Sequence, residues 1–308
     1  MSDLLSHKAG CQSCLDHPSK AIRAIVNPRE KDLGGFSVRR MMPTTELQSV
    51  GPFVFFDHLG PAHFAPGTGI DVRPHPHIGL ATITYVFTGD ILHRDSLGSV
   101  QLIRPGEINW MTAGRGIVHS ERTPHEVRSA GHTLHALQLW VALPEADEQT
   151  NPGFFHYESA DLPISESADS SIRVMVGEAY GMRSAVRTWS PTLYVEIDLV
   201  SGGMVRLPDD VEERAVYVVH GGLSANGTEI SAHSMAVFEQ ASNVELVAQQ
   251  KTKLVIIGGS SLGRRTVWWN LVATRKDLIE QAKQDWREGR FPKVPGESEW
   301  IPLPESSI

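Results

Sequence analysis

A chain of 308 residues with 41% hydrophobic side chains can bury the cores of two ordinary domains. Its 28 basic and 36 acidic residues give a formal net charge of −8, which repels phosphate backbones and argues against direct nucleic-acid binding. Apolar runs are too short for a secretion signal or a membrane span, so we expect a cytoplasmic protein without membrane contact.

Residues 1–20 are predicted to form a flexible leader. They include His7, Cys11, Cys14 and His17, a set that could bind zinc or copper or, through the two thiols, act as a redox switch. One Cys-x-x-Cys with two nearby histidines is a weak signal, so we assign no role to Cys11 and Cys14. With two cysteines in the whole chain, no disulfide framework is expected to support the fold.

Residues 21–145 predict a first domain of short antiparallel strands. The run from Ala81 to Phe87 is rich in β-branched and aromatic residues and is closed by a Thr-Gly-Asp turn. Polar and turn-forming residues then interrupt the pattern, so we place a linker at residues 146–170. Strand-like runs resume in a second domain, residues 171–308, for example from Thr192 to Leu199 and from Leu254 to Ile257. The predicted fold class is therefore all-β, a sandwich or barrel.

One segment near the C-terminus predicts a helix instead. Thr274 and Asp277 resemble a capping box, and Gly289 supplies a stop signal. Between them, apolar residues recur on one helical face at Leu278, Ile279, Ala282 and Trp286.

Nine of the 14 histidines lie between residues 58 and 135, which places the candidate chemistry in the first domain. His75 and His77 are two residues apart, as are His119 and Glu121, and on extended strands this spacing directs both side chains to one face. Three imidazoles and one carboxylate, without thiolates, suit a single divalent ion: iron, manganese, nickel, copper or zinc. An ion that prefers six ligands would keep two positions for water, dioxygen or substrate. In the second half, His220 and His233 form no comparable pair.

Other residues in this window have two readings. Phe53, Phe55, Phe56, Trp110 and Met111 could line a ligand pocket or belong to an ordinary core. His93, Arg94 and Asp95 could support metal ligands by hydrogen bonds or form a cluster at a strand end.

The motifs together resemble those of a known family. They are Asp57-His58-Leu-Gly-Pro61, His75-Pro-His77, His93-Arg94-Asp95-Ser96 and Pro105-Gly106-Glu-Ile-Asn-Trp110-Met-Thr-Ala-Gly114-Arg-Gly116-Ile-Val-His119-Ser-Glu121. This set is similar to the pirin family of the cupin superfamily, and the similarity extends from about Arg23 to Pro304. The resemblance implies a bicupin with two antiparallel, jelly-roll-like β-barrels and a C-terminal helix. It also implies that His75, His77, His119 and Glu121 hold one Fe(II) ion in the first barrel alone.

By the same resemblance, the leading hypothesis is a quercetin 2,3-dioxygenase-like enzyme that opens a flavonoid-like aromatic substrate with O2. Many cupins and pirins carry a glutamate four residues after the second histidine of the pair, but this chain has Ala81 there. Glu121 is then the candidate catalytic base. The alternative is a non-catalytic, metal- or redox-responsive regulator whose protein partner is a transcription factor or a metabolic enzyme. A third reading is another cupin reaction, such as isomerisation of a small molecule.

Overall fold

The computed structural model describes residues 21–33 and 35–305, so the predicted leader, with His7, Cys11, Cys14 and His17, lies outside the described residues. Within these ranges the secondary structure is dominated by short antiparallel strands. The predicted all-β class is confirmed.

The strands of the first half are listed here in chain order. They are β1 Ile22–Val26, β2 Arg29–Asp32, β3 Ser37–Met42, β4 Phe53–Phe64, β5 Asp71–His77, β6 Leu80–Thr88, β7 Ile91–Asp95, β8 Val100–Ile103, β9 Ile108–Thr112, β10 Ile117–Arg122, β11 His132–Ala142 and β12 Gly153–Tyr157. A short helix, α1 His125–Ala130, separates β10 from β11.

The second half begins with a 3-10 turn, Ser159–Asp161, and ends with helix α2, Lys276–Arg287. Its strands are β13 Ile164–Glu166, β14 Ser170–Val176, β15 Glu178–Ala179, β16 Met182–Arg183, β17 Thr192–Leu199, β18 Met204–Arg206, β19 Glu213–His220, β20 Gly222–Ala225, β21 Thr228–Ser231, β22 Met235–Phe238, β23 Glu245–Ala248, β24 Thr252–Gly259, β25 Thr266–Trp268 and β26 Leu271–Ala273.

Four sheets make two barrels. In the N-terminal barrel, the seven-stranded sheet β12-β9-β6-β11-β4-β3-β2 faces the four-stranded sheet β5-β10-β7-β8. In the C-terminal barrel, the seven-stranded sheet β1-β22-β19-β24-β17-β14-β13 faces the four-stranded sheet β18-β23-β20-β21. The two seven-stranded sheets pack against each other through one large core cluster that draws side chains from both.

The alternation of side chains along β6 explains how one strand serves two cores. Ala81, Ile83 and Tyr85 belong to the cluster between the barrels, which also contains Tyr217 of the second barrel. Leu80 points the other way and belongs to a cluster inside the N-terminal barrel. The seven-stranded sheet is therefore buried on both faces, which accounts for its nearly continuous apolar strands.

The two ends of the described chain cross between the barrels. Strand β1 pairs with β22 and so extends the sheet of the C-terminal barrel. The β25-β26 hairpin packs on the N-terminal barrel, where Val272 joins the interior cluster and its amide donates to the Ile78 carbonyl at 3.2 Å. Gly79 permits this approach: it has a φ of +67°, and a Cβ there would collide with the Val272 carbonyl. These contacts join segments from the two sides of the linker predicted at residues 146–170. The domain boundaries remain a prediction.

The predicted C-terminal helix is confirmed as α2, with Ile279 and Ala282 buried. The predicted capping box is wrong, because α2 begins after Arg275 and has no side-chain cap hydrogen bond. The Thr274 hydroxyl instead donates to Glu148 Oε1 at 2.7 Å, where the start of the helix meets the N-terminal barrel. In the described ranges, no helix is long and apolar enough to cross a membrane.

Candidate metal centre

The two sequence motifs with candidate ligands lie on neighbouring strands of the four-stranded sheet. Strands β5 and β10 pair antiparallel, with His119 opposite His75. The register shifts between His119 and Glu121, and on the other side of β10 Glu121 lies opposite His93 of β7. Local spacing places each pair on one strand, and antiparallel pairing brings the two strands together.

Two overlapping groups of side chains could hold a metal ion. The ligand atoms of His75, His77 and His119 lie within 4.8 Å of one another, and so do those of His93, His119 and Glu121. All five residues are buried. Within the described residues both groups lie in the N-terminal barrel and share His119. The four-ligand set predicted from the sequence therefore spans both groups, and it remains a proposal.

Hydrogen bonds fix the orientation of all three imidazoles in the first group, which we call the histidine centre. Nδ1 of His75 lies 2.9 Å from the Arg73 carbonyl, and Nδ1 of His77 lies 2.9 Å from the Asn270 carbonyl. A carbonyl oxygen can only accept a hydrogen bond, so each neutral ring carries its proton on Nδ1 and has a free lone pair on Nε2.

His119 is oriented in the same way through a relay. His93 Nε2 donates to Asp95 Oδ2 at 3.1 Å, which leaves His93 Nδ1 to accept from His119 Nδ1 at 3.4 Å. His119 Nε2 then points towards His77 Nε2, 3.1 Å away. In metal sites, a histidine usually binds the ion through one ring nitrogen and donates a hydrogen bond from the other. The three rings have this arrangement, with Nε2 directed to a common point and Nδ1 donating to an acceptor.

Burial keeps these imidazoles neutral. Loss of solvent lowers the pKa of His75 to about 4 and holds the pKa of His77 and of His119 well below the usual value. Neutral rings at physiological pH are the form that binds metal.

Glu121 is a buried carboxylate beside this centre. Desolvation raises its pKa, partly opposed by a hydrogen bond that the Thr84 hydroxyl donates to Oε1 at 2.7 Å. Thr84 lies on β6, in the sheet that faces the ligand strands. Phe154 stacks on His93 at 4.4 Å and Trp140 contacts His77 at 5.1 Å, so aromatic rings flank the centre.

The position at which a glutamate was expected does not face this centre. Ala81 belongs to the core cluster between the two barrels, whereas its neighbour Leu80 faces the interior of the N-terminal barrel. A carboxylate at position 81 of this strand would point away from the candidate ligands. Ala81 therefore removes no group from the histidine centre in this register.

The aromatic candidates divide between the two cores. Phe53, Phe56 and Trp110 belong to the cluster between the barrels and take no part in the centre. Phe55 and Met111 lie inside the N-terminal barrel with Trp140, and Phe55 stacks on the Trp140 ring at 3.9 Å.

Three contributions to the site carried no signal in the sequence. The Asn270 carbonyl is 193 residues from His77, and main-chain groups leave no residue-type signature. Thr84, and Gln138 beside it, belong to strands that read as ordinary core. Only the facing of the two sheets brings them to Glu121.

The histidines of the second half meet first-half histidines at the barrel interface. His58 Nδ1 lies 2.6 Å from the Tyr217 hydroxyl, and His58 Nε2 lies 2.7 Å from His135 Nε2. The His233 ring packs edge-on to His58, with centroids 5.5 Å apart. Burial lowers the pKa of His58 to about 2 and the pKa of His135 to about 4, and the charge of nearby His220 lowers the pKa of His135 further.

Two cupin-type β-barrels in one chain, with a buried histidine group in the first, define a bicupin with a candidate metal centre. The sequence matches the family model described as Pirin over residues 35–141 and the model described as Pirin C-terminal cupin domain over residues 194–292. The chain belongs to the pirin family, which confirms the resemblance and the bicupin fold.

Relatives match over nearly the whole chain. A pirin-like protein of Caulobacter vibrioides is 45% identical, covering 92% of this chain and 100% of that protein. Pirin of Mus musculus is 31% identical, covering 88% and 94%. The crystal structure of quercetin 2,3-dioxygenase from Acinetobacter baumannii is 34% identical, with a TM-score of 0.82, and covers 92% of this chain and 97% of that chain.

Proposed function

We propose that the protein is a mononuclear metal-dependent dioxygenase of the quercetin 2,3-dioxygenase type, with a small flavonoid-like molecule and O2 as substrates. The observation that carries the proposal is the convergence of three Nε2 atoms, from His75, His77 and His119, beside a buried carboxylate. The name of the Acinetobacter baumannii relative, which matches nearly the full length of both chains, supports this reaction.

The residues present fit a divalent ion, for which we propose Fe(II). His75, His77 and His119 would bind it through Nε2, and Glu121 would bind through its carboxylate. Nitrogen and oxygen donors of this kind suit iron, although manganese, nickel, copper or zinc would also be accepted. When bound, the ion supplies a positive centre that activates dioxygen and lowers the pKa of a coordinated substrate hydroxyl.

In this proposal, Glu121 takes the proton of that hydroxyl. Burial raises its pKa, which makes the carboxylate a stronger base than an exposed one. The Thr84 hydroxyl donates to Oε1 and holds the carboxylate in place, so Oε2 would receive the proton. The Phe55 and Trp140 rings stack inside the N-terminal barrel, and Trp140 contacts the His77 ring, so apolar surface borders the proposed site.

The test is anaerobic reconstitution with Fe(II), followed by measurement of oxygen uptake with quercetin. His75→Ala should lose both the ion and the uptake, because it removes one of three imidazoles. Glu121→Ala should lower uptake more than iron content, because the base is missing while the histidines remain. His63→Ala, at an exposed position of β4, is the control and should match the wild type. Absence of oxygen uptake by the iron-loaded wild type would rule out this function.

One observation favours a docking role as the second candidate. A cavity of about 320 Å³ lies on the outer side of β5 and β10, between Pro74, Val118, Phe291 and Val294. Trp300 at its edge is 61% exposed. Because Pro74 and Val118 alternate with ligands, this surface backs directly onto the histidine centre. If the protein is a metal-responsive regulator, hydrogen exchange at residues 286–300 should differ between the metal-free and Fe(II)-loaded forms.

A further inference from the structure

Polar side chains occupy directly opposite positions on six strands of the seven-stranded sheet of the N-terminal barrel. The strand registers pair Arg40 with Asp57, Asp57 with Gln138, Gln138 with Thr84, Thr84 with Asn109, and Asn109 with His156. We call these six residues the polar row. Apolar side chains fill most of this sheet, so a continuous polar row needs a reason.

The row faces the inside of the barrel. Phe55, Trp140, Met111 and Phe154 contribute to the interior cluster, and each lies two residues from a member of the row on the same strand. Side chains two residues apart on a strand share a face, so the row faces the four-stranded sheet that carries the ligands. Glu121 reaches the middle of the row through Thr84.

Most members of the row have a hydrogen-bond partner. Arg40 donates two hydrogen bonds of 2.8 Å to Asp57. The Thr84 hydroxyl is shared between two acceptors, Glu121 Oε1 at 2.7 Å and Gln138 Oε1 at 3.0 Å. His156 Nδ1 donates to Asn109 Oδ1 at 2.7 Å.

Asn109 uses its acceptor, Oδ1, but not its donor, Nδ2. The residue is only 2% exposed, and its Nδ2 is buried without a hydrogen-bond partner among residues 21–33 and 35–305. An unpaired buried donor destabilises the folded chain, so a bound molecule that supplies an acceptor would give this amide a purpose. Asn109 is directly opposite Thr84, so their Cβ atoms are about 5 Å apart on the face that meets Glu121.

Solvent reaches this part of the barrel. Gln138 is partly exposed although it lies on the interior face of β11, in the middle of the sheet. The row is partly open at Gln138 and at His156 and is closed at Thr84 and Asn109, which lie between them. A ligand that enters beside Glu121 would find one unused donor at Asn109.

We propose that Asn109 determines substrate specificity by donating a hydrogen bond from Nδ2 to a carbonyl or phenolate oxygen of the molecule held beside Glu121. This inference rests on the proposed function and adds to it a chemical requirement: an oxygen acceptor next to the group that Glu121 deprotonates. Molecules of the same shape without that oxygen leave the donor unpaired and bind less well.

The experiment compares Asn109→Asp and Asn109→Leu with the wild type, all loaded anaerobically with Fe(II). Aspartate keeps the acceptor for His156 and removes the donor, whereas leucine removes the donor without adding charge. Asn243→Asp, at an exposed position of the second barrel, is the charge control. Quercetin binding is measured by fluorescence quenching without oxygen, and KM and kcat are then measured with oxygen.

Both Asn109 variants should bind quercetin about 10- to 100-fold more weakly, while iron content and the control remain at wild-type values. If both variants bind quercetin more weakly but the wild type takes up no oxygen, the Asn109 assignment is supported and the dioxygenase function is ruled out. Unchanged binding and KM in both variants, with uptake intact, would overturn the assignment and leave the dioxygenase standing. If the wild type does not bind quercetin at all, both proposals fail for flavonols.

Discussion

The main-chain carbonyl of Asn270 lies 2.9 Å from Nδ1 of His77, across 193 residues of sequence. The carbonyl belongs to the turn between β25 and β26, a hairpin that packs on the N-terminal barrel through Val272 and on helix α2 through Leu271. One ligand of the proposed metal centre is therefore oriented by the C-terminal hairpin. Docking of the hairpin and affinity for metal should be coupled.

Gly79→Ala tests this coupling, because its Cβ would collide with the Val272 carbonyl and push the hairpin away. We expect metal affinity to fall about 10- to 100-fold, the usual effect of losing support behind a ligand. Isothermal titration of the metal-free protein with Fe(II) or a substitute ion measures it. Gly202→Ala is the matched control, since Gly202 also has a positive φ, of +80°, but open space around it. Equal affinity in the two variants would contradict the coupling.

Thr84→Val should weaken metal binding and lower activity, whereas Thr84→Ser should retain both. Valine preserves the shape of the side chain but removes the hydrogen bond to Glu121 Oε1, and serine keeps the hydroxyl. Because that bond lowers the pKa of Glu121, its loss should raise this pKa. Metal binding should then begin to weaken at a higher pH as the solution is acidified. Metal affinity measured from pH 5 to 8 in both variants decides it; identical profiles would show that Thr84 does not orient the carboxylate.

Glu297 connects the C-terminal tail to the strand that carries His119 and Glu121. Its carboxylate accepts hydrogen bonds from the Ser120 hydroxyl at 2.8 Å and from the Arg122 guanidinium at 2.7 and 3.0 Å. Glu297→Ala should lower the free energy of unfolding by about 1–2 kcal/mol, seen as an earlier midpoint in urea.

Glu299→Ala is the control for that change, because Glu299 also binds Arg122 but its side chain is 57% exposed. Exposed ion pairs contribute little, so this variant should stay within about 0.5 kcal/mol of the wild type. A loss as large as that of the Glu297 variant would mean that net charge, rather than the buried contacts to Ser120, stabilises the tail.

Stability should fall as the pH drops, because His58 is buried without charge. Its pKa is lowered from 6.5 to about 2, chiefly by desolvation, and the neighbours that face it, His135, His233 and Arg39, lower it further. Below about pH 6.5 the unfolded chain binds a proton that the folded chain does not. The contribution of the uncharged His58 to the free energy of unfolding is therefore fully present above pH 6.5 and is lost progressively towards pH 2.

The test is urea unfolding of metal-free protein between pH 7 and 5. Stability should decline with a slope that approaches about 1.4 kcal/mol per pH unit for His58 alone, added to that of other buried histidines. His58→Gln can keep hydrogen bonds to Tyr217 and His135 but cannot titrate, so its slope should be shallower by up to that amount. His63→Gln should keep the wild-type slope. Parallel curves for all three proteins would show that His58 does not titrate on unfolding.

Short-range patterns predicted much of this molecule. The β-branched and aromatic residues from Ala81 to Phe87, closed by a turn, predicted a strand, and apolar spacing around Ile279 predicted α2. The two-residue spacing of His75 and His77, and of His119 and Glu121, predicted which side chains share a strand face. The capping box failed because Thr274 had a better partner in Glu148, which no local pattern reveals.

What the amino-acid sequence determined by itself is therefore the class of fold, the strands and the identity of the candidate ligands, because each depends on periodicity within a few residues. Tertiary structure alone decided that Ala81 faces away from the centre, that the Asn270 carbonyl supports His77, and that Asn109 lies opposite Thr84. These relationships depend on strand register and on which sheets face each other. Both are set by packing between segments far apart in the chain, where a shift of one residue would reverse every side chain.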